Sequence, residues 1–170
     1  MDLSILPAEP EHHPDCCLAL SQRLINVLYE QFPQGETPII SIGSGTGLLE
    51  ALLLECAGSE LDIRGVEVSP AVNKYLPEEN MTAVNGTWDL YTAAASAPVW
   101  MFVYPRLPNL VARYLNSHGG DSPRKVIWLG PKRDWEDYQT VFESSEFSNI
   151  AIIDDCGAAT YEMMAVATRK

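Results

Sequence analysis

The sequence predicts an α/β fold, a three-layer αβα arrangement around a mostly parallel sheet that ends in an antiparallel hairpin. Three observations carry this. Short apolar runs alternate with segments of helical periodicity from residue 16 onward, as expected of strands buried on both faces. A glycine-rich turn, Gly43-Ser-Gly-Thr-Gly47, joins the first central run to the helix that follows. At the C-terminus two apolar runs, 150–153 and 160–168, are joined by about six residues around Gly157, too few for a parallel crossover.

Taken in order, residues 1–14 are proline-rich and are expected to be a flexible segment, with a single domain over 15–170. Leu20, Leu24, Val27 and Leu28 recur at helical spacing, predicting a helix over 16–32 that stops at Pro33-Gln34-Gly35. Strands are expected at 38–42, 61–68, 81–84, 99–104 and 125–129. Helices are expected at 48–57, 108–118 and 134–144, with a short one opened by the cap Ser69 and by Pro70. No linker, repeat or low-complexity tract divides the chain.

The 170 residues carry a formal charge of −12, with 46% apolar and 20% charged residues. That balance fits a packed domain and argues against nucleic acid and anionic lipid as partners, which call for a clustered positive field. No apolar run approaches the roughly 20 residues of a membrane span. The first 14 residues lack a basic segment followed by an apolar one, so the expectation is a cytoplasmic protein whose four cysteines, Cys16, Cys17, Cys56 and Cys156, are reduced thiols.

The chemistry-bearing pattern is Ile39-Ile-Ser-Ile-Gly-Ser-Gly-Thr-Gly-Leu48, with three glycines at alternate positions between strand and helix. Glycine permits the sharp turn and lets a ligand press on the main chain. Glu67 follows Gly47 by 20 residues at the end of the next strand, where an acid can accept from both hydroxyls of a ribose. A dinucleotide site would prefer G-x-G-x-x-G, and here Leu48 occupies its third glycine position.

On these residues the chain resembles the class I S-adenosylmethionine-dependent methyltransferase superfamily, a Rossmann-like fold. Ile42-Gly-Ser-Gly-Thr-Gly47 is similar to its first motif, Gly65-Val-Glu-Val-Ser-Pro70 to its acidic motif, and the closing hairpin to its sheet signature. The resemblance covers about 16–170. It implies S-adenosyl-L-methionine as cofactor, with Gly43, Ser44, Gly45 and Gly47 against its methionine and sugar and Glu67 on the ribose. At the adenine end many members carry Gly-Asp, whereas this chain reads Asn85-Gly-Thr-Trp88. Thr87 then takes the place of the acid, and Trp88 is available to stack on the base.

The acceptor side is read from the loops after the fourth and fifth central strands, because ligands of open parallel sheets sit at the strands' carboxyl ends. Nitrogen methyltransferases resembling this chain usually show Asp/Asn-Pro-Pro-aromatic there. Tyr104-Pro-Arg-Leu-Pro108 departs from it, which points away from base or glutamine nitrogens and toward an oxygen or carbon nucleophile on a small molecule. Arg106, Lys132 and Arg133 are candidates for capturing an anionic substrate, the alternative being solvated loop cations beside Asp134 and Glu136. Tyr104, Arg106 and His13 are the catalytic candidates, with His12 as an equal alternative to His13, each histidine as a general base for a hydroxyl. No residue set suggests a metal. So little chain remains outside the core that specificity is expected to come from the N-terminal helix, a few short loops or a second copy of the chain, with a homodimer or a partner protein as the expected assemblies. A second class of function stays open: the fold without methyl transfer, as a regulatory or scaffold subunit or as an enzyme of another reaction type.

Overall fold

Residues along the central strands face opposite layers in strict alternation, and that alternation sorts the core into two halves. The computed structural model describes residues 6–35, 37–118, 120 and 122–170. Ile39, Ile63, Val99, Met101, Ile127, Leu129, Met164 and Val166 face one layer, and Ile40, Ile42, Val66, Trp100, Phe102, Val126, Trp128 and Ala165 the other. Each set is apolar because helices cover both faces of the sheet.

The elements are β1 (Glu11–His13), β2 (Cys16–Leu20), α1 (Gln22–Glu30), β3 (Pro38–Ile42), α2 (Leu48–Ala57), β4 (Asp62–Glu67), β5 (Met81–Ala83), β6 (Val99–Val103), α3 (Pro108–His118), β7 (Lys125–Pro131), α4 (Trp135–Glu143), β8 (Asn149–Ile153) and β9 (Glu162–Thr168). The seven-stranded sheet runs β5-β4-β3-β6-β7-β9-β8. Its strands are parallel except β9, which is antiparallel to both neighbours, Trp128 opposing Ala165 and Ile152 opposing Ala165 from the other side. Helices α1 and α2 cover the first layer and α3 and α4 the second. The order reverses between β3 and β6, which opens the ligand crevice at the carboxyl ends of those strands.

The expected three-layer sheet with its antiparallel end is present, and two local expectations need correction. The helix expected over 16–32 begins only at Gln22, because Ser21 caps it, accepting from the Leu24 amide at 3.0 Å. Before the cap, Leu18, Ala19 and Leu20 are all buried, and the Ala19 amide donates to Glu162 at 3.2 Å. A helix would bury one stripe of that segment and forfeit this long-range bond. The segment expected to be flexible over 1–14 also departs from expectation in part. Glu11 to His13 pair with β2 as a hairpin, while residues 1–5 lie outside the described residues.

The hairpin is latched across the glycine loop. Thr46 Oγ1 donates to the Asp15 carbonyl at 2.6 Å, and Asp15 takes Lys74 Nζ at 2.8 Å and the Tyr75 hydroxyl at 2.7 Å. The Thr46 carbonyl in turn accepts from the amides of Lys74 and Tyr75 at 2.9 and 3.0 Å. Three segments far apart in sequence thus fix the loop's position.

Candidate functional site

The glycine loop leaves β3 through left-handed backbone, with φ of 78° at Gly43, 58° at Gly45 and 77° at Gly47. The three have different jobs. A Cβ on Gly43 or Gly45 would meet nothing within 4 Å, so both present bare main chain to open space, where a ligand can lie. A Cβ on Gly47 would stand 2.7 Å from Asn73 Oδ1 and 2.9 Å from Leu76, so this glycine serves packing.

Around the first two glycines lies a cavity of about 380 Å³. Its walls include Gly43, Gly45, Glu67, Gly86, Thr87 and Asp89 on one side and Val103, Tyr104, Pro105, Arg106 and Leu107 on the other. A second cavity of about 370 Å³ adjoins it, lined by His12, Asp15, Cys16, Ser44, Thr46 and Glu50. Cys17, Gly43, Gly45 and Val103 border both, so the two form one cleft astride the glycine loop.

Glu67 ends β4 with its carboxylate fixed by main chain, accepting from the Gly45 amide at 2.7 Å and from the Val68 amide at 3.1 Å. Two amide bonds hold both oxygens at the cavity wall in one orientation. Near the opposite end, Asp89 Oδ2 accepts from the Asn85 amide and side chain, each at 2.8 Å. Asp89 lies two residues beyond Thr87 and lines the same cavity, so a carboxylate does stand at this end. Sequence spacing alone does not point to it, because Thr87 stands beside Gly86 and the acid comes two positions later. Trp88 is 66% exposed, folds its ring over Gly86 and is outside the residues that line the cavity.

On the acceptor side Tyr104 has φ of 49°, a strained value for a residue with a side chain. The Leu129 carbonyl fixes it by accepting from its amide at 2.7 Å. Its hydroxyl donates to Glu162 Oε2 at 2.5 Å, and Glu162, 3% exposed, also accepts from the amides of Ala19 and Ala159. Burial first, and the Glu162 carboxylate second, push the Tyr104 phenol well above its ordinary range. At neutral pH the Tyr104 phenol is therefore protonated, with its hydrogen committed to Glu162. Glu162 was invisible to the sequence reading, since only antiparallel pairing of β9 with β7 brings it under β6.

Of the three cations, Arg106 lines the cavity, while Lys132 and Arg133 do not; Arg133 sits 3.6 Å from Asp134. His13 lies outside both cavities, its Nδ1 accepting from the Asp15 amide at 3.1 Å, and His12 borders the second cavity. Among the described residues no group of His, Cys, Asp and Glu could hold a metal ion. Among them too, no helix is long and apolar enough to cross a membrane.

A scan of family models gives no match to the sequence, and a search of curated proteins gives none. Solved structures do match in fold. A SAM-dependent methyltransferase from Aquifex aeolicus superposes with a TM-score of 0.59 at 11% identity, over 86% of this chain and 89% of that one. A Streptococcus pneumoniae protein described as a candidate tRNA (m1A22) methyltransferase gives 0.57 at 16% identity, over 88% of this chain and 70% of that one. A chain of the E. cuniculi Mtq2–Trm112 complex, responsible for methylating the eRF1 translation termination factor, gives 0.58 at 9% identity, over 96% of this chain and 99% of that one. A Plasmodium falciparum dimethyladenosine transferase and the 23S rRNA methyltransferase ErmE also match. These neighbours overturn the exclusion of nucleic acid drawn from net charge. Enzymes of this fold act on RNA, and a whole-chain charge of −12 does not describe the field at one cleft. The chain has the Rossmann-like α/β fold of the class I S-adenosylmethionine-dependent methyltransferases.

Proposed function

We propose that the chain binds S-adenosyl-L-methionine along the cleft astride the glycine loop and transfers its methyl group to an acceptor beside Tyr104 and Arg106. The observation that carries this is the pair formed by bare glycine backbone at Gly43 and Gly45 and the oriented Glu67 carboxylate beside it. Adenosine between Glu67 and Asp89, and the amino-acid end in the cavity beyond Ser44, suit the two volumes and their linings.

The cofactor supplies an electrophilic methyl group, so the protein's task is alignment and exclusion of water. Proximity of nucleophile and methyl group is worth several kcal/mol without any further device. Tyr104, rigid in its strained backbone and anchored to Glu162, supports one wall of the acceptor space. Arg106 offers planar donors to an anionic group. We read the acceptor as an oxygen or carbon nucleophile of a small molecule, because Tyr104-Pro-Arg106 lacks the polar pattern that grips an amide or base nitrogen.

A second reading, binding without transfer, is favoured by the Tyr104 hydroxyl being already committed to Glu162. One experiment decides between them. The full chain is incubated with methyl-labelled S-adenosylmethionine and, separately, a metabolite extract, total RNA and a protein extract. Label in the metabolite fraction supports the proposed acceptor. Label in RNA or protein keeps the transferase and replaces its acceptor, and binding with no label anywhere leaves the second reading.

A further inference from the structure

We propose that β8 is the contact surface of a homodimer, in which this edge strand pairs antiparallel with β8 of a second copy and one sheet runs through both chains. The proposal does not rest on the S-adenosylmethionine reading.

β8 ends the sheet order, so one side of Asn149–Ile153 has no neighbouring strand among the described residues. Its pairing with β9 is unbroken from Asn149 opposite Thr168 to Ile153 opposite Met164, so its outward amides and carbonyls form a regular edge. Natural sheets blunt such edges with lysine, proline, a bulge or a very short strand. The opposite edge, β5, has three residues. β8 has five, Asn-Ile-Ala-Ile-Ile, with neither a charge nor a proline. Ile152 is 44% exposed, and of the exposed large apolar side chains among the described residues it alone lies in a strand or an α-helix.

Two features select a second copy as the occupant. The first is self-complementarity. With a two-fold axis at Ala151, Ile150 of each copy stands opposite the partner's Ile152, on the face where Ile150 packs against the second core layer. Two such cross-strand pairs cover the exposed isoleucine in both chains. The second feature is charge. Arg169 and Lys170 follow β9 beside the amino end of β8, and Arg124 and Lys125 stand at the start of β7 on the same side, with Glu146 paired to Arg169. The carboxyl end of β8 runs into Asp154 and Asp155, the latter bound to Arg23. Antiparallel pairing turns the partner end for end and brings its acidic end to this basic corner, whereas parallel pairing would set like ends together. The charge of −12 on each chain opposes the contact only locally, since physiological salt screens charges beyond about 8 Å. β9 and β7 separate β8 from β6, so the contact leaves the cleft open.

The test is sedimentation equilibrium of the full chain at physiological ionic strength, from about 1 to 200 μM. The wild-type mass is expected to rise with concentration from 18.8 kDa toward twice that value. Ile152→Lys, which places a charge on the edge, is expected to weaken association at least about tenfold. A wild type that stays monomeric, or whose mass climbs past two copies, overturns the proposal. So does a folded Ile152→Lys that associates as the wild type does, because its interface lies elsewhere. Should Ile152→Lys fail to fold, Ala151→Cys decides. A short bismaleimide is expected to join two copies at position 151, identified by peptide mass spectrometry, and a dimer without that crosslink overturns the assignment.

Discussion

The Gly45 main-chain amide donates to Glu67 Oε1 at 2.7 Å, tying the tip of the glycine loop to the end of the neighbouring strand. The acid's position is thus set by the same loop that exposes bare backbone to the cleft. Replacing Glu67 with Ala removes the acceptor of this amide and of the Val68 amide together. S-adenosylmethionine affinity should fall by about 10- to 100-fold, equivalent to roughly 1.4–2.8 kcal/mol, measured by calorimetry. An affinity within threefold of wild type would mean that Glu67 organises the loop but touches no ligand.

Glu50 imposes a pH-dependent cost on the free protein. Burial, the largest cause, raises its carboxyl from an ordinary 4.5 to about 7, against the lowering effect of the Ser41 bond. Between those values the folded chain holds a proton that the unfolded chain has lost. The group's contribution to stability is therefore complete below about pH 4.5 and lost as pH rises through about 7. Glu50→Gln should leave stability near wild type at pH 4.5 and exceed it above pH 7, by up to about 3 kcal/mol on the linkage scale. Denaturant unfolding of both proteins at several pH values measures the difference. A flat difference across that range would contradict the assignment.

Tyr104→Phe removes the hydroxyl that donates to Glu162 and keeps the ring. Glu162 would retain the Ala19 and Ala159 amides, so a loss of about 1–2 kcal/mol is expected, or roughly 2–8 °C in Tm. If Tyr104 positions the acceptor, turnover should drop at least about tenfold with cofactor affinity within threefold. Because the phenol stays protonated, the wild-type rate profile should show no tyrosine ionisation below about pH 10. Such an ionisation would make Tyr104 a base after all.

The loop glycines should separate by function. Gly47→Ala meets both a positive φ and contacts under 3 Å with Asn73 and Leu76, so it should destabilise the fold by more than the roughly 1–2 kcal/mol of the backbone term alone. Gly45→Ala has the same backbone penalty and open space around its Cβ, so it should stay folded and lose ligand. Thermal unfolding and calorimetry on the two variants check this. Equal effects of both on Tm would deny the ligand-facing role of Gly45.

What the sequence disclosed was local or periodic. Alternating apolar runs located the seven sheet strands, and Gly157 with its short connection forced β8 and β9 into an antiparallel pair. The glycine loop and Glu67 were legible because they sit in consecutive elements at a fixed spacing. What escaped depends on tertiary pairing. Ala19 is held extended by Glu162, 143 residues away, so helical spacing in its neighbourhood misled. Glu50 reads as an ordinary first-turn acid until α2 is laid against Ser41 and sealed from water. Arg106 separates from Lys132 and Arg133 only once loop directions are known.

The central claim is that bare glycine backbone and Glu67 hold S-adenosylmethionine. Its most direct test is calorimetric titration of the full chain with S-adenosylmethionine, with Glu67→Ala as the comparison. The account predicts one saturable site on the wild type, weakened at least tenfold in the variant. No heat of binding with millimolar cofactor on the folded wild type would contradict it.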